Sequence, residues 1–236
     1  MKKIYIVMMV IVLMGVGMGG FFMLQKQRVN EREPVEPING KIKLPEPRYD
    51  SKTSVERALL ERRSVRVYKD EALTLTEVSQ LLWAAQGITD PRDLRTAPSA
   101  GALYPLEIYV VAGNVNDLPA GIYKYKPHQH ELEMVIEGDK RTELCNATLD
   151  QPSVKDAAAV IVFSAVYEWT TEKYGERGIR YVYMEVGHAA QNVYLQAVSL
   201  NLGTVVIGAF DDEEVKKILN MGDKEQPLYI MPVGKK

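Results

Sequence analysis

One cysteine, Cys145, and three histidines are all that this chain of 236 residues holds of the thiolate and imidazole metal ligands. A lone thiol excludes an intrachain disulfide and a cysteine cage, and its ordinary place is that of a small buried hydrophobe. Neither a G-x-S-x-G elbow nor an H-E-x-x-H helix occurs, so nucleophile triads and zincin chemistry lack their motifs, and no metal site is expected. His128 and His130 flank a turn and read as solvated. His188 stands three residues beyond Glu185 in a helical stretch and reads as a core or interface hydrogen bond. Charge of one sign is missing too. Twenty-nine Lys and Arg face 31 Asp and Glu, with no basic run longer than a pair, so the field that gathers nucleic acid is absent.

What is present starts with an apolar run. From Ile4 to Leu24 no side chain is charged. About 21 residues at ~1.5 Å rise match the roughly 30 Å of bilayer hydrocarbon. Residues 1–25 therefore read as a transmembrane anchor, with a cleaved signal segment as the alternative; Met18-Gly19-Gly20-Phe21-Phe22 is a poor cleavage site. Lys2 and Lys3 before the run and Lys26 and Arg28 after it bias the body weakly to the extracytoplasmic side, membrane-anchored, or secreted if the segment is cleaved. Within the run, Gly15-Val16-Gly17-Met18-Gly19-Gly20 fits the dinucleotide fingerprint but lacks its strand and helix, and reads as close-packing glycines. Residues 26–50 carry Pro34, Pro37, Pro45 and Pro47 among charges and read as a linker. Residues 51–236 form the folded domain.

Thr53-Ser54-Val55-Glu56 and Thr74-Leu75-Thr76-Glu77 have the form of capping boxes, the second helix ending at Gly87. Strand-like runs follow at 106–111, 121–125, 132–136, 158–166, 204–210 and 228–233, the second and third forming a hairpin. Between the fourth and fifth lies the longest helix, about 179–200, with a stripe at 179, 182, 186, 189, 193, 197 and 200. Tyr183, Ala190 and Tyr194 widen this stripe until little is left for water. Asp211 opens a last helix. The class is α+β, a mixed sheet packed by helices around a long central helix.

Two segments carry chemistry. Arg62-Arg63-Ser64-Val65-Arg66 gathers guanidinium groups and a hydroxyl, which suit a phosphate. Pro98-Ser99-Ala100-Gly101-Ala102-Leu103-Tyr104-Pro105 supplies small residues whose backbone can lie against a flat ligand. Together they suggest a flavin phosphate site.

These segments are followed in order by Glu185-x-Gly187-His188-Ala189-Ala190-Gln191-Asn192, Val206-Ile207-Gly208-Ala209-Phe210 and Pro232-Val233-Gly234-Lys235. In that order they resemble the nitroreductase superfamily of FMN oxidoreductases, in particular its SagB-type dehydrogenase branch. The resemblance implies that Arg62, Arg63 and Ser64 hold the FMN phosphate and ribityl chain, with Lys235 or Lys236 adding charge. Arg66 would lie near the pyrimidine edge, where a cation stabilises anionic reduced flavin. It further implies an obligate homodimer in which Pro98, Ser99, Ala100 and Gly101 reach the ring from the partner, Ile207 and Gly208 pack near its face, and Tyr104 offers a substrate-side hydroxyl. Electrons would pass in ping-pong order, NAD(P)H being one donor, to or from a small-molecule or peptide substrate. The alternative is a noncatalytic flavin-binding or scaffold partner in a peptide-modification complex. Tyr123-Lys124-Tyr125 matches the Lys-x-Tyr pair of azoline-oxidising relatives only loosely.

Overall fold

The structure is a computed structural model that describes residues 40–236. Nine strands and seven helices are defined there. The strands are β1 (Lys41–Lys43), β2 (Leu73–Thr74), β3 (Leu106–Ala112), β4 (Val115–Asn116), β5 (Gly121–Lys126), β6 (Glu131–Glu137), β7 (Ala159–Val166), β8 (Leu202–Thr204) and β9 (Glu225–Lys235). The helices are α1 (Val55–Glu61), α2 (Leu75–Gln86), α3 (Arg141–Ala147), α4 (Pro152–Lys155), α5 (Glu168–Tyr174), α6 (Arg177–Ser199) and α7 (Asp212–Leu219).

Seven strands form one sheet in the order β1-β6-β5-β3-β7-β9-β8. Every pairing in it is antiparallel. The expected mixture of strand directions thus reduces to the separate, parallel two-residue pair β2–β4. Helices cover both faces. Ile108, Val110, Phe163 and Met231 pack on one side with Leu81 and Leu82 of α2 and Val182 and Val186 of α6. Tyr109, Val111, Val160 and Val162 pack on the other with Leu144 of α3 and Val215 and Leu219 of α7. Strand β7 is buried at every position, which is why its sequence is apolar rather than alternating, save for Ser164, whose hydroxyl donates to Glu225 (3.0 Å).

Several expectations are corrected. The linker expected through residue 50 is ordered at its end: Ile42 is fully buried, and β1 extends the sheet edge against β6. Lys41-Ile42-Lys43-Leu44 alternates with period two, a signal only four residues long between prolines. Helix α1 is capped by Ser54, whose side chain accepts from the Arg57 amide, one residue later than the box suggested. The Thr74/Glu77 box forms in full. Gly87 ends α2 with φ −64°, not left-handed; glycine is required there because a Cβ would collide with the Trp83 ring and carbonyl. Helices α3, α4 and α5 are too short for a periodic signal. Helix α6 is buried along one stripe only, and Ile179, Tyr183 and Met184 face outward.

The run 204–210 is strand only to Thr204, although Ile207 and Ile230 still exchange both backbone bonds (2.8 and 2.9 Å). Opposite the interruption stands Pro232, which has no N–H to give, and the Val206 amide donates instead to the Tyr194 hydroxyl (2.8 Å). Among the described residues no helix is long and apolar enough to cross a membrane. The anchor expected at residues 1–25, and residues 26–39 of the linker, lie outside the described residues.

Candidate functional site

Where α1 ends, the chain runs along the outer edge of β8, the Val65 amide donating to the Thr204 carbonyl (2.9 Å). Tyr194 of α6 organises this junction. Its hydroxyl lies 3.1 Å from Ser64 Oγ while accepting from Val206 N, and the Arg62 guanidinium sits 5.2 Å from its ring centroid. The Arg62, Ser64 and Val206 segments therefore meet on one phenol.

A recess of about 170 Å³ opens beside it, bordered by Glu61, Arg63, Tyr194, Thr204 and Lys236, the Glu61 carboxylate being engaged by Arg57. The Thr204 hydroxyl is buried and has no partner. An orphaned hydroxyl next to two cationic side chains is a donor set that an anion such as phosphate satisfies. The residues present fit the phosphate end of FMN. Arg63 itself is turned back by donating to the Leu60 and Arg62 carbonyls. Two expected contributors lie elsewhere: Lys235 is ion-paired with Glu77 of α2, and Arg66 borders a different cleft with Arg141 and Lys155. Ile207 is buried, whereas Gly208 is exposed beside Tyr183 and Phe210.

The second segment is a tight turn. Ala100–Ala102 is a single 3-10 turn, and Gly101, Ala102 and Tyr104 all have positive φ (64°, 53° and 48°). For Ala102 and Tyr104 this is strained backbone of the kind that a site must hold from outside. Local bonds do so. The Tyr104 amide donates to Ser99 Oγ (2.9 Å), and the Tyr104 hydroxyl accepts from the Arg95 amide (3.1 Å) while the Arg95 guanidinium stacks 4.5 Å above its ring. Arg95 Nη1 donates to Gln86 Oε1 (3.1 Å), and Gln86 Nε2 reaches Glu185 Oε1 at 3.4 Å. Glu185 is 2% exposed in the middle of α6. Burial pushes its carboxyl up to about 7, against the pull of the Ser99 hydroxyl, the Arg95 charge and the Gln86 amide.

Glu185 and Tyr194 are nine residues apart on α6, so the anchors of the two segments stand about 14 Å apart along the helix and half a turn round it. Among the described residues no hydrogen bond joins the residues 98–104 turn to the Arg62–Ser64 junction, although the Thr96 carbonyl just before the turn accepts from Asn192 Nδ2 (3.3 Å), two residues before Tyr194.

Of the histidines, His128 is exposed as expected, and His130 departs from expectation. His130 is not solvated: its ring lies between Ser79 Oγ (2.8 Å), the Tyr125 hydroxyl (2.9 Å) and the Pro45 carbonyl, and burial lowers its pKa. His188 is exposed, and Glu185 turns to Gln86 instead. Sequence reasoning missed Tyr194, Glu185, Gln86 and Arg95. The available signal was a carboxyl on the apolar stripe of α6 between Val182 and Val186.

A scan of family models matches residues 59–235 to the nitroreductase family. The chain belongs to that family. Relatives agree with the match. A nitroreductase-named protein of Methanocaldococcus jannaschii is 51% identical over 182 residues, 77% of this chain and 91% of that protein. A crystal structure named for a nitroreductase of Ralstonia eutropha superposes with a TM-score of 0.74 at 29% identity, over 86% of this chain and 97% of that one. The Microcin B17-processing protein McbC of Escherichia coli is 28% identical over 169 residues, 69% of this chain and 62% of that protein. The last similarity agrees with the SagB-type resemblance carried by the motifs. In this nitroreductase-family chain both characteristic segments fall inside the matched region.

Proposed function

We propose that this chain is an FMN-dependent oxidoreductase whose cofactor cleft is shared between two copies. One observation carries the reading: Arg62, Ser64 and Val206 converge on Tyr194, about 14 Å along α6 from Glu185, to which Ser99 of the strained turn is bonded. A ligand that needs both segments takes them from two chains. Val55, Leu59 and Leu60 of α1 and Ile179 and Tyr183 of α6 are apolar and exposed, which supports a second copy as their cover. In this reading Arg62, Arg63, Ser64 and Lys236 hold the phosphate, and Ile207 and Gly208 back the ring. The partner's copies of Pro98, Ser99, Ala100 and Gly101 close over the ring and exclude water.

Bound there, FMN supplies two-electron transfer in ping-pong order between a donor such as NAD(P)H and an acceptor. Tyr104, whose hydroxyl accepts from Arg95 and keeps its own proton to donate, orients the substrate. The test is a spectrum of the purified protein with released FMN quantified. A yellow dimer is expected that bleaches with NAD(P)H and recovers colour with a nitroaromatic or quinone, and that loses flavin in an Arg62→Ala, Ser64→Ala double variant. Similarity to McbC favours a second reading, a peptide-modification partner; a colourless dimer that refuses added FMN would select its noncatalytic form.

A further inference from the structure

A cavity of about 530 Å³ lies between the end of α2, the residues 92–108 segment, the β5–β6 turn and α5. That volume is in the range of small-molecule sites. Its walls include Arg95, Tyr104, Tyr125, Lys126, His128 and Trp169, so it is both aromatic and cationic.

The charges lining it are not equivalent. Arg92 is paired with Asp90, Lys126 with Glu133, and Glu107 with Lys124 at 3.3 Å. Asp93 stands 3.7 Å from His128. Arg95 differs from all of these. It makes no salt bridge among the described residues, its one side-chain bond goes to the neutral amide of Gln86, and its Nε is buried without a partner. A desolvated guanidinium with most of its donors unused is costly by itself and gains most from an incoming anion with two acceptor oxygens. Glu107 does not supply that anion, because Lys124 engages it. Glu185 stays behind Gln86.

We propose that this cavity binds a planar organic carboxylate, with the carboxylate on Arg95 and the ring among Tyr104, Tyr125 and Trp169. The inference deepens the function proposed above by naming a substrate class, and its catalytic side rests on that reading; the binding itself does not. Arg95 is then a specificity-determining residue. The cavity shares Tyr104 with the turn that, in the reading above, closes over the partner's flavin.

The probes are 4-nitrobenzoate and its neutral isostere 4-nitrobenzamide, titrated calorimetrically into the full-length protein with and without FMN. The expected result is benzoate bound at least about tenfold more tightly than the amide in the wild type, a ratio near one in Arg95→Gln, and partial recovery in Arg95→Lys. Turnover should show the same split, with KM for the benzoate raised in Arg95→Gln and KM for the amide unchanged. Should Arg95→Gln not fold, Gln129→Glu adds a negative charge at the exposed rim without touching the aromatic wall and is expected to weaken benzoate several-fold while sparing the amide. A wild-type ratio of one, or a ratio indifferent to both variants, overturns the proposal. A colourless protein that still prefers benzoate supports the pocket and overturns the flavin reading, whereas a flavoprotein without the preference does the reverse.

Discussion

At the scale of the residue, Glu185 shows what burial does to one carboxyl. Its ordinary value of 4.5 rises to about 7 because the fold withdraws it from water and gives it Gln86 and Ser99 rather than a full counter-charge. Between those values the native state binds more protons than the unfolded chain, so this group makes stability fall as pH rises from 4.5 to about 7, and adds no further slope above. The interval corresponds to roughly 3 kcal/mol at most. Glu185→Gln should therefore flatten the pH dependence of denaturant midpoints between pH 4.5 and about pH 7 and stabilise the protein most above that interval. Parallel curves for the two proteins would show that the carboxyl is ionised throughout.

Elements meet at Tyr194. The loop after α1, the segment that follows the edge strand β8, and helix α6 are joined by one hydroxyl, which bonds Ser64 Oγ and Val206 N. Removing that oxygen leaves the ring and its Arg62 stack in place but strands a backbone donor, at a cost of about 1–2 kcal/mol. Tyr194→Phe is expected to lower stability by that amount and, by freeing the Arg62–Ser64 segment, to weaken FMN binding about tenfold, read by flavin fluorescence titration. A variant with lowered stability and unchanged flavin affinity would make Tyr194 a strut and nothing more. The helix stripe concealed this role, since a tyrosine among Val186, Ala190 and Val193 looks like packing until the edge of β8 is placed beside it.

For the whole molecule, the proposed shared cleft would tie assembly to cofactor. Leu59 is 54% exposed on α1 and Tyr183 is 55% exposed on α6, so charge at these positions opposes a partner without entering this chain's core. Leu59→Asp with Tyr183→Asp should yield monomers by light scattering that fold normally and have lost flavin. A monomer that keeps its FMN would mean that one chain completes the cleft. The apolar run at residues 4–24 raises a separate expectation, that the full-length protein sediments with membranes and is released by detergent rather than by salt; recovery in the soluble fraction would count against an anchor.

The sequence by itself determined the local pieces and the family. Capping chemistry at Thr74 and Asp211, period-two runs and five ordered motifs are written in neighbours a few residues apart, and such signals survive without knowledge of the fold. Tertiary structure alone decided which of the motif residues act together. Lys235 goes to Glu77, Arg66 to another cleft, and Arg62 and Ser64 to Tyr194, because a side chain's partner depends on which strand edge and helix face arrive beside it. The burial that unsettles Glu185 and leaves Arg95 without a salt bridge has the same origin: desolvation is a property of the assembled surroundings, and no spacing along the chain encodes it.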